Sequence, residues 1–486
     1  MIANGIFYLW VTLNALLFFY ICVEIVLLLF ALTAKKQNKQ IALKSYPKVT
    51  IQLPVYNEKY VVERLIDAVC KIDYPQELLE IHLLDDSTDE TSSLALLKMK
   101  FYQDLGIDIK HIQRADRVGF KAGALDYSMG ICKGEFIAIF DADFIPSVDF
   151  LKQTLPHFNS ECIGVVQTRW SHINENFSFL TRAQAIMLNT HFSIEHLGRT
   201  SSGAFINFNG TAGIWRKLCI EDTGGWQADT LTEDLDLSFR AQMKGWKFNY
   251  LFDVESPAEL PITVDAYKTQ QYRWSKGAAE CVRKNIKNLW LSPVGLWQKI
   301  AGSVHLFNSS IFIIVFFLVM TSPIVFWMGK ENQITSVNLE LISYLSLFIT
   351  CFITIIFFAG HLIVVNSKWK AALLFWPNFY AYLALSVGIS FYMVIGVIEG
   401  YAGKVSEFVR TPKFNLNKTD SKILKKEYSF KNKLNIRLLE LFILFYGCFV
   451  ISLGAYYLDF FMMNYGVVIT LGFTLKVFFP KYIFKF

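Results

Sequence analysis

Six apolar runs constrain this chain more than anything else in it: Ile6–Leu32, Val304–Met328, Leu341–Val365, Leu373–Val397, Leu438–Leu458 and Val467–Phe484. Each approaches or exceeds the ~20 apolar residues that cross a bilayer as a helix. One stands before a long polar stretch and five stand after it. Of the 486 residues, 53% are hydrophobic, too many for an ordinary soluble enzyme, and 18% are charged, too many for a bundle made only of spans. The expected product is a polar domain inserted between membrane helices.

The first run carries one charge, Glu24, lacks a basic leader and is far longer than a signal-peptide core, so it reads as a retained anchor. Lys35, Lys36, Lys39 and Lys44 follow at once, which puts that side in the cytoplasm. The crossings can then be counted. If all five later runs spanned, the linker Glu399–Arg437 would lie outside, yet it holds Lys404, Arg410, Lys413, Lys418, Lys422, Lys425, Lys426, Lys431 and Lys433. One run must therefore fail to cross. Leu373–Val397 is the candidate: Pro377 breaks its start, Lys368 and Lys370 precede it, and "FWPNFYAY" has the aromatics of a membrane interface. The expected units are an anchor (1–34), a cytosolic domain (45–295), a helix pair (300–366), an interfacial helix with a cytosolic loop (367–436), and a helix pair (437–486) ending in Lys481 and Lys485. A multi-pass protein of the plasma (inner) membrane is expected.

Within the polar stretch, "VTIQLPVY", "EIHLLDD", "EFIAIFDAD" and "IGVVQTRW" alternate with helix-like segments, the rhythm of a mostly parallel α/β sheet. The net charge of +6 is modest, and neither a basic stripe with interleaved aromatics nor zinc-type spacing occurs, so nucleic acid is not an expected partner. The eight cysteines are scattered without a CxxC pair, as suits reduced thiols facing a cytosol.

Open parallel sheets bind ligands just beyond the carboxyl ends of their strands. Tyr56, Asn57 and Glu58 follow the first such strand, and Asp86, Ser87 and Thr88 the second. An Asp there can accept hydrogen bonds from a nucleobase, although helix capping accounts for these residues equally well. The third strand ends in Asp141 and Asp143, a DxD spacing that can place two carboxylates around Mg²⁺ or Mn²⁺. "TLTED" supplies Thr232, Glu233 and Asp234, with Asp236 beyond. A carboxylate at a helix start can take a proton from an attacking hydroxyl, and the spacing does not choose among the three acids. "QQYRW" then offers Gln270, Arg273 and Trp274: a fork for a diphosphate, an added donor and a ring to stack on a sugar.

YNE, DDS, DAD, TED and QQYRW in this order resemble the processive family 2 glycosyltransferases, the cellulose, chitin and hyaluronan synthases, over about residues 45–415. "QTRW", "FNGTAGIWR" and "ELPITVDAYKTQQYRWSKG" look closest to the cellulose-synthase-like mannan and glucomannan synthases of plants. The resemblance implies a GT-A-like transferase domain on a short transmembrane channel. It assigns Tyr56, Glu58, Asp86 and Lys121 to the donor nucleotide, Asp141 and Asp143 to nucleotide and metal, and Asp234 to the general base. By the same resemblance Gln270 and Arg273 hold the diphosphate, while Trp170, Phe208, Asn209, Gly210, Thr211 and Trp274 line the acceptor site. "EFVRTPKF" resembles the cytosolic gating loop of cellulose synthases, with Phe408, Thr411 and Lys413 at matching positions and Arg410 in place of a small apolar residue. Activation by cyclic diguanylate through a dedicated barrel is not expected.

The reading is an inverting membrane synthase that polymerises a hexose from UDP-glucose or GDP-mannose into a β-glucan or mannan and passes it across the bilayer, with accessory export subunits possible. One alternative keeps the chemistry but transfers to lipid, as ceramide or diacylglycerol glucosyltransferases do. Another is a non-catalytic transporter or scaffold, which the full set of acids disfavours.

Overall fold

Strands β1 (Val49–Val55), β2 (Leu79–Asp85), β3 (Ile109–Ile112), β4 (Phe136–Ile139), β5 (Ile163–His172), β6 (Gly213–Arg216) and β7 (Lys247–Ala258) form one sheet in the order β3-β2-β1-β4-β6-β5-β7. All run parallel except β6, which lies antiparallel between β4 and β5. A parallel sheet needs cover on both faces, and β1, β2 and β4 are accordingly buried along almost their whole length. Ile51, Leu53, Ile81 and Leu83 pack under Val62, Leu65 and Ile66 on one face. Ile137, Ile139 and Leu84 meet Leu125, Leu188 and Leu237 on the other. Pairing of Val55 with Asp85 ends β1 and β2 level, so the polar residues after them emerge side by side.

The structure, a computed structural model, describes residues 2–34, 43, 45–331, 336–365, 367–406, 408–415 and 434–479. Lys35, Lys36, Lys39 and Lys44, the linker lysines from Lys418 to Lys433, and Lys481 and Lys485 lie outside the described residues.

Among the described residues, six helices are long and apolar enough to cross a membrane: Asn4–Leu32, Leu296–Lys330, Tyr344–Val364, Lys368–Tyr401, Leu438–Tyr456 and Phe460–Phe478. The last begins ahead of the expected Val467 because the Asp459 carboxylate caps it, accepting from the Met462 N–H at 3.0 Å. It crosses Lys368–Tyr401 so closely that a Cβ on Gly388 would lie 2.3 Å from the Gly472 carbonyl oxygen. Only glycine permits that approach.

Lys368–Tyr401 corrects one expectation: Pro377 does not break its start, and the helix runs through it. The missing N–H frees a single carbonyl one turn back, while Phe375 and Phe379, on either side, pack against Ile186 and hold the helix together. This helix touches the transferase domain at positions from Phe375 to Gly400 and packs on other apolar helices through Val387 and Gly388. Ala381, Leu385, Ile389 and Met393 pack on Leu180, Ala183 and Tyr267, and Gly400 abuts the Lys276 carbonyl.

Candidate active site

The carboxyl edge of the sheet opens into a cavity of ≈ 200 Å³. Tyr56, Glu58, Asp86, Lys121, Asp141, Asp143, Trp170, Asn209, Gly210, Thr232, Glu233, Asp234, Gln270, Arg273, Trp274, Phe408, Thr411 and Lys413 all line it. Segments far apart in the chain meet here because β1, β2, β4, β5 and β7 all point to this edge. Two expected members do not reach the wall. Phe208 is fully buried against Trp215, and the Thr211 hydroxyl lies behind Asp141, accepting its backbone N–H at 2.8 Å. Both sit in strand-side packing that leaves only Asn209 and Gly210 of that segment on the surface of the cavity.

Asp86, Asp141 and Asp143 each have a cation. Lys121 donates to Asp141 at 2.5 Å and to the Gly210 carbonyl at 2.9 Å. Lys413 reaches Asp143 at 2.5 Å. Arg114 pairs with Asp86, and the Arg117 guanidinium sits 3.4 Å above the Tyr56 ring. Gathering this many charges in a partly buried cleft is tenable only because they are paired.

The three acids of "TEDLD" separate clearly. Asp236 is fully buried and faces away from the cavity, held by Arg240 at 2.9 Å, Lys284 at 3.0 Å and Asn285 at 2.9 Å. Glu233 and Asp234 line the cavity, and only Asp234 also lines the larger space behind it. Burial pushes the Asp234 carboxyl up to about 7, helped by the neighbouring Glu233 and opposed by Lys121. The helix start at Glu233 does not outweigh that burial. A carboxyl tuned near neutrality suits a general base.

Residues 408–415 lie across the mouth. Phe408 stacks on Phe120 with centroids 5.9 Å apart, and the Arg273 guanidinium sits 4.4 Å over the Phe408 ring. Glu259, just past β7, accepts from the backbone N–H of Phe414 at 2.9 Å and of Asn415 at 3.1 Å, and pairs with Arg64 at 3.2 Å. Sequence reasoning missed Arg114, Arg117 and Glu259. Glu259 carried a usable signal, being a lone acid at the carboxyl end of a parallel strand. The two arginines stand in a loop with no periodic mark.

A second cavity, of ≈ 440 Å³, shares Trp170, Leu188, Asn209, Thr232, Asp234 and Trp274 with the first and continues between the apolar helices, past Leu17, Phe312, Phe357 and Tyr382. Asp234, Trp274 and their neighbours therefore stand between a cavity at the sheet edge and one within the helix bundle.

A sheet of this order carrying paired acids at its carboxyl edge defines a nucleotide-sugar transferase, and the comparisons agree. Residues 47–277 match the family described as Glycosyltransferase like family 2. The chain is 35% identical over 430 residues to a probable glucomannan 4-beta-mannosyltransferase 3 of Arabidopsis thaliana, covering 86% of this chain and 75% of that protein. It is 34% identical over 459 residues to glucomannan 4-beta-mannosyltransferase 9 of the same plant, covering 90% and 83%. A solved mannosyltransferase from Pyrobaculum calidifontis, in complex with GDP-Man and Mn²⁺, shares the fold with a TM-score of 0.57 at 17% identity, over 82% of this chain and all of that one. The chain belongs to the family 2 glycosyltransferases of the cellulose-synthase-like type, and it is a membrane glycosyltransferase.

Proposed function

We propose that this enzyme transfers mannose from GDP-mannose to the end of a growing β-linked mannan or glucomannan and feeds that polymer into the space between its own helices. The observation that carries the reading is that Asp234 and Trp274 line both cavities, the one at the sheet edge and the one between the helices. A transferase that released a small product would not need its base to face a passage between membrane helices. The relatives' mannosyl activity favours GDP-mannose over UDP-glucose.

Asp234 would take the proton of the acceptor hydroxyl as that oxygen attacks the anomeric carbon, and the nucleoside diphosphate would leave from the opposite face. Arg273 and Gln270 hold the diphosphate, and Tyr56, Glu58 and Asp86 the nucleoside. Asp141 and Asp143 fit a divalent cation such as Mg²⁺ or Mn²⁺, since two carboxylates completed by phosphate oxygens and water suit these hard ions. When bound, such an ion neutralises charge on the departing diphosphate. The ammonium groups of Lys121 and Lys413 already lie on these two carboxylates, which fits a place built to hold positive charge.

The same reading places the transferase domain and residues 408–415 on the cytoplasmic side and lays Lys368–Tyr401 along the interface. Its packing on the transferase domain from Phe375 to Gly400 supports this. Five of the six apolar helices then cross.

Purified protein in nanodiscs would be given labelled GDP-mannose, UDP-glucose, UDP-N-acetylglucosamine or UDP-glucuronate with Mg²⁺ or Mn²⁺. Ethanol-insoluble label from GDP-mannose alone or above the others is expected. Label found only in the organic phase would move the enzyme to lipid glycosylation.

A further inference from the structure

We propose that His172 holds a hydroxyl group of the hexose being transferred and so takes part in selecting the donor sugar. The inference rests on the transferase reading of the sheet-edge cavity and deepens it by naming a residue for the sugar.

His172 ends β5 and lines the sheet-edge cavity together with Asp143, Trp170 and Glu259. Strand residues alternate between faces, so His172 and Trp170 point the same way. Both ring nitrogens of His172 are buried, and neither has a hydrogen-bond partner among the described residues. Trp170 Nε1 is in the same state. Neighbouring backbone groups that could have served are already engaged. The Ala258 carbonyl, opposite His172 in the register, accepts from the Ile173 N–H at 2.9 Å. Asn174 donates to the Leu260 carbonyl at 2.9 Å and accepts the Leu260 N–H at 2.8 Å. The Glu259 carbonyl accepts from Lys413, and the Pro261 carbonyl from Gln184, each at 2.8 Å. These bonds also fix the strand end, so the imidazole stands on a rigid base. Folded proteins rarely leave buried donors and acceptors open together unless a ligand completes them.

Sheet order tells which part of the donor lies there. With the nucleoside at the ends of β1 and β2 and the diphosphate at Asp141 and Asp143 after β4, the order β4-β6-β5 carries the rest of the donor toward β5. That remainder is the hexose. Phe144, next to Asp143, packs edge-on against Trp170 with centroids 5.3 Å apart, which sets the end of β5 beside the acid pair. Burial, with a smaller push from Arg169, lowers the imidazole to about 3, so it is neutral at working pH, with one nitrogen donating and the other accepting. A sugar hydroxyl donates and accepts in return. A phosphate would call for a cation, and an apolar group would leave both nitrogens open.

The test titrates the full chain in nanodiscs, with Mg²⁺, against GDP-mannose and against GDP. His172→Phe is expected to raise the Kd for GDP-mannose about tenfold and to leave that for GDP within about twofold, because only the hexose loses its partner. His172→Asn, which keeps donor and acceptor groups, should fall between. Singly deoxygenated analogues of GDP-mannose locate the hydroxyl. One of them should bind wild type about tenfold more weakly than GDP-mannose does, yet bind His172→Phe no worse than GDP-mannose does. Equal losses for GDP and GDP-mannose, or no loss for either, overturn the contact. If His172→Phe does not fold, the wild-type series decides, since indifference to every deoxygenated analogue overturns it as well. Wild-type protein that takes UDP-glucose in place of GDP-mannose overturns the mannose reading alone, and UDP-glucose against UDP then decides the role of His172.

Discussion

Arg410 lies 3.0 Å from Glu58, so the loop that follows the long Lys368–Tyr401 helix is tied by charge to the carboxyl end of β1. Burial pushes the Glu58 carboxyl up to about 8 while Arg410 pulls it down. Where a small apolar residue could make no ion pair, this arginine ties the loop to Glu58, and under the proposed function it would act as an ionic latch over the donor. Arg410→Ala is expected to raise the donor KM about tenfold with kcat changed less, and Glu58→Gln should add little in that background. The pair is fully charged only once Glu58 ionises. Wild-type donor KM should therefore fall as pH rises through 8, whereas that of Arg410→Ala should not. Parallel pH profiles for the two proteins would remove the latch from donor capture.

Asp234 gives two linked pH effects. As the proposed base it must be ionised, so kcat/KM should climb with pH and level off above about 7, where burial puts its carboxyl. Asp234→Asn should lose about 10²–10⁴-fold in transfer with GDP binding unchanged. Stability runs the other way. The folded carboxyl holds its proton more tightly than an unfolded one near 3.9, so stability falls between about pH 4 and pH 7 and stays lower above. Asp234→Asn removes that penalty and should melt higher than wild type at pH 8, by roughly 2–4 °C per kcal/mol recovered, with the gap closing near pH 4. A variant that melts alike at both pH values would contradict a buried, perturbed carboxyl.

Which parts of this were legible beforehand follows from periodicity and spacing. The strands read correctly because a doubly covered parallel sheet buries both faces and favours β-branched and apolar residues along the strand, as in "VTIQLPV" and "FIAI". Acids at their ends stand where such sheets bind ligands, so Asp86, Asp141 and Asp143 could be named from spacing. The short strands β3 and β6, of four residues each, carry too little pattern to stand out. Phe208 and Asn209 are neighbours in sequence, yet one fills the core and the other faces the cavity. No linear pattern announces that turn. Arg117 over Tyr56 and Arg410 on Glu58 are tertiary meetings of loops, which spacing cannot encode.

Glu259 decides how firmly residues 413–415 are held. It accepts two backbone N–H groups, pairs with Arg64, and its own carbonyl accepts from Lys413 at 2.8 Å. Glu259→Ala leaves those donors and the Arg64 charge unpaired in a largely buried place, at a cost of about 1–3 kcal/mol for the docked loop. Hydrogen exchange at Phe414 and Asn415 should accelerate about 5- to 100-fold, with donor KM rising in step. Exchange that stays as slow as in wild type would mean that the Arg410–Glu58 and Lys413–Asp143 pairs and the Phe408 contact hold the loop without Glu259.

Gly210 tests how tightly the base is packed. Its φ of +77° is one that L side chains avoid, and an added Cβ would lie 3.0 Å from Asp234 Oδ2 and 3.4 Å from Lys121 Nζ. Gly210→Ala must therefore both strain its backbone and press on the catalytic carboxylate. The expected result is a fall in kcat of about 10²-fold, since small displacements of a reacting group are costly. Donor KM should change little, because Tyr56 and Asp86, proposed to hold the nucleoside, lie beyond the ends of β1 and β2, away from Gly210. The pH at which kcat/KM levels off should shift as well, the Lys121 contact to Asp141 being disturbed with it. A folded variant with full kcat would mean that Asp234 is free to move aside, and a base with that freedom could not be the group that aims the acceptor hydroxyl.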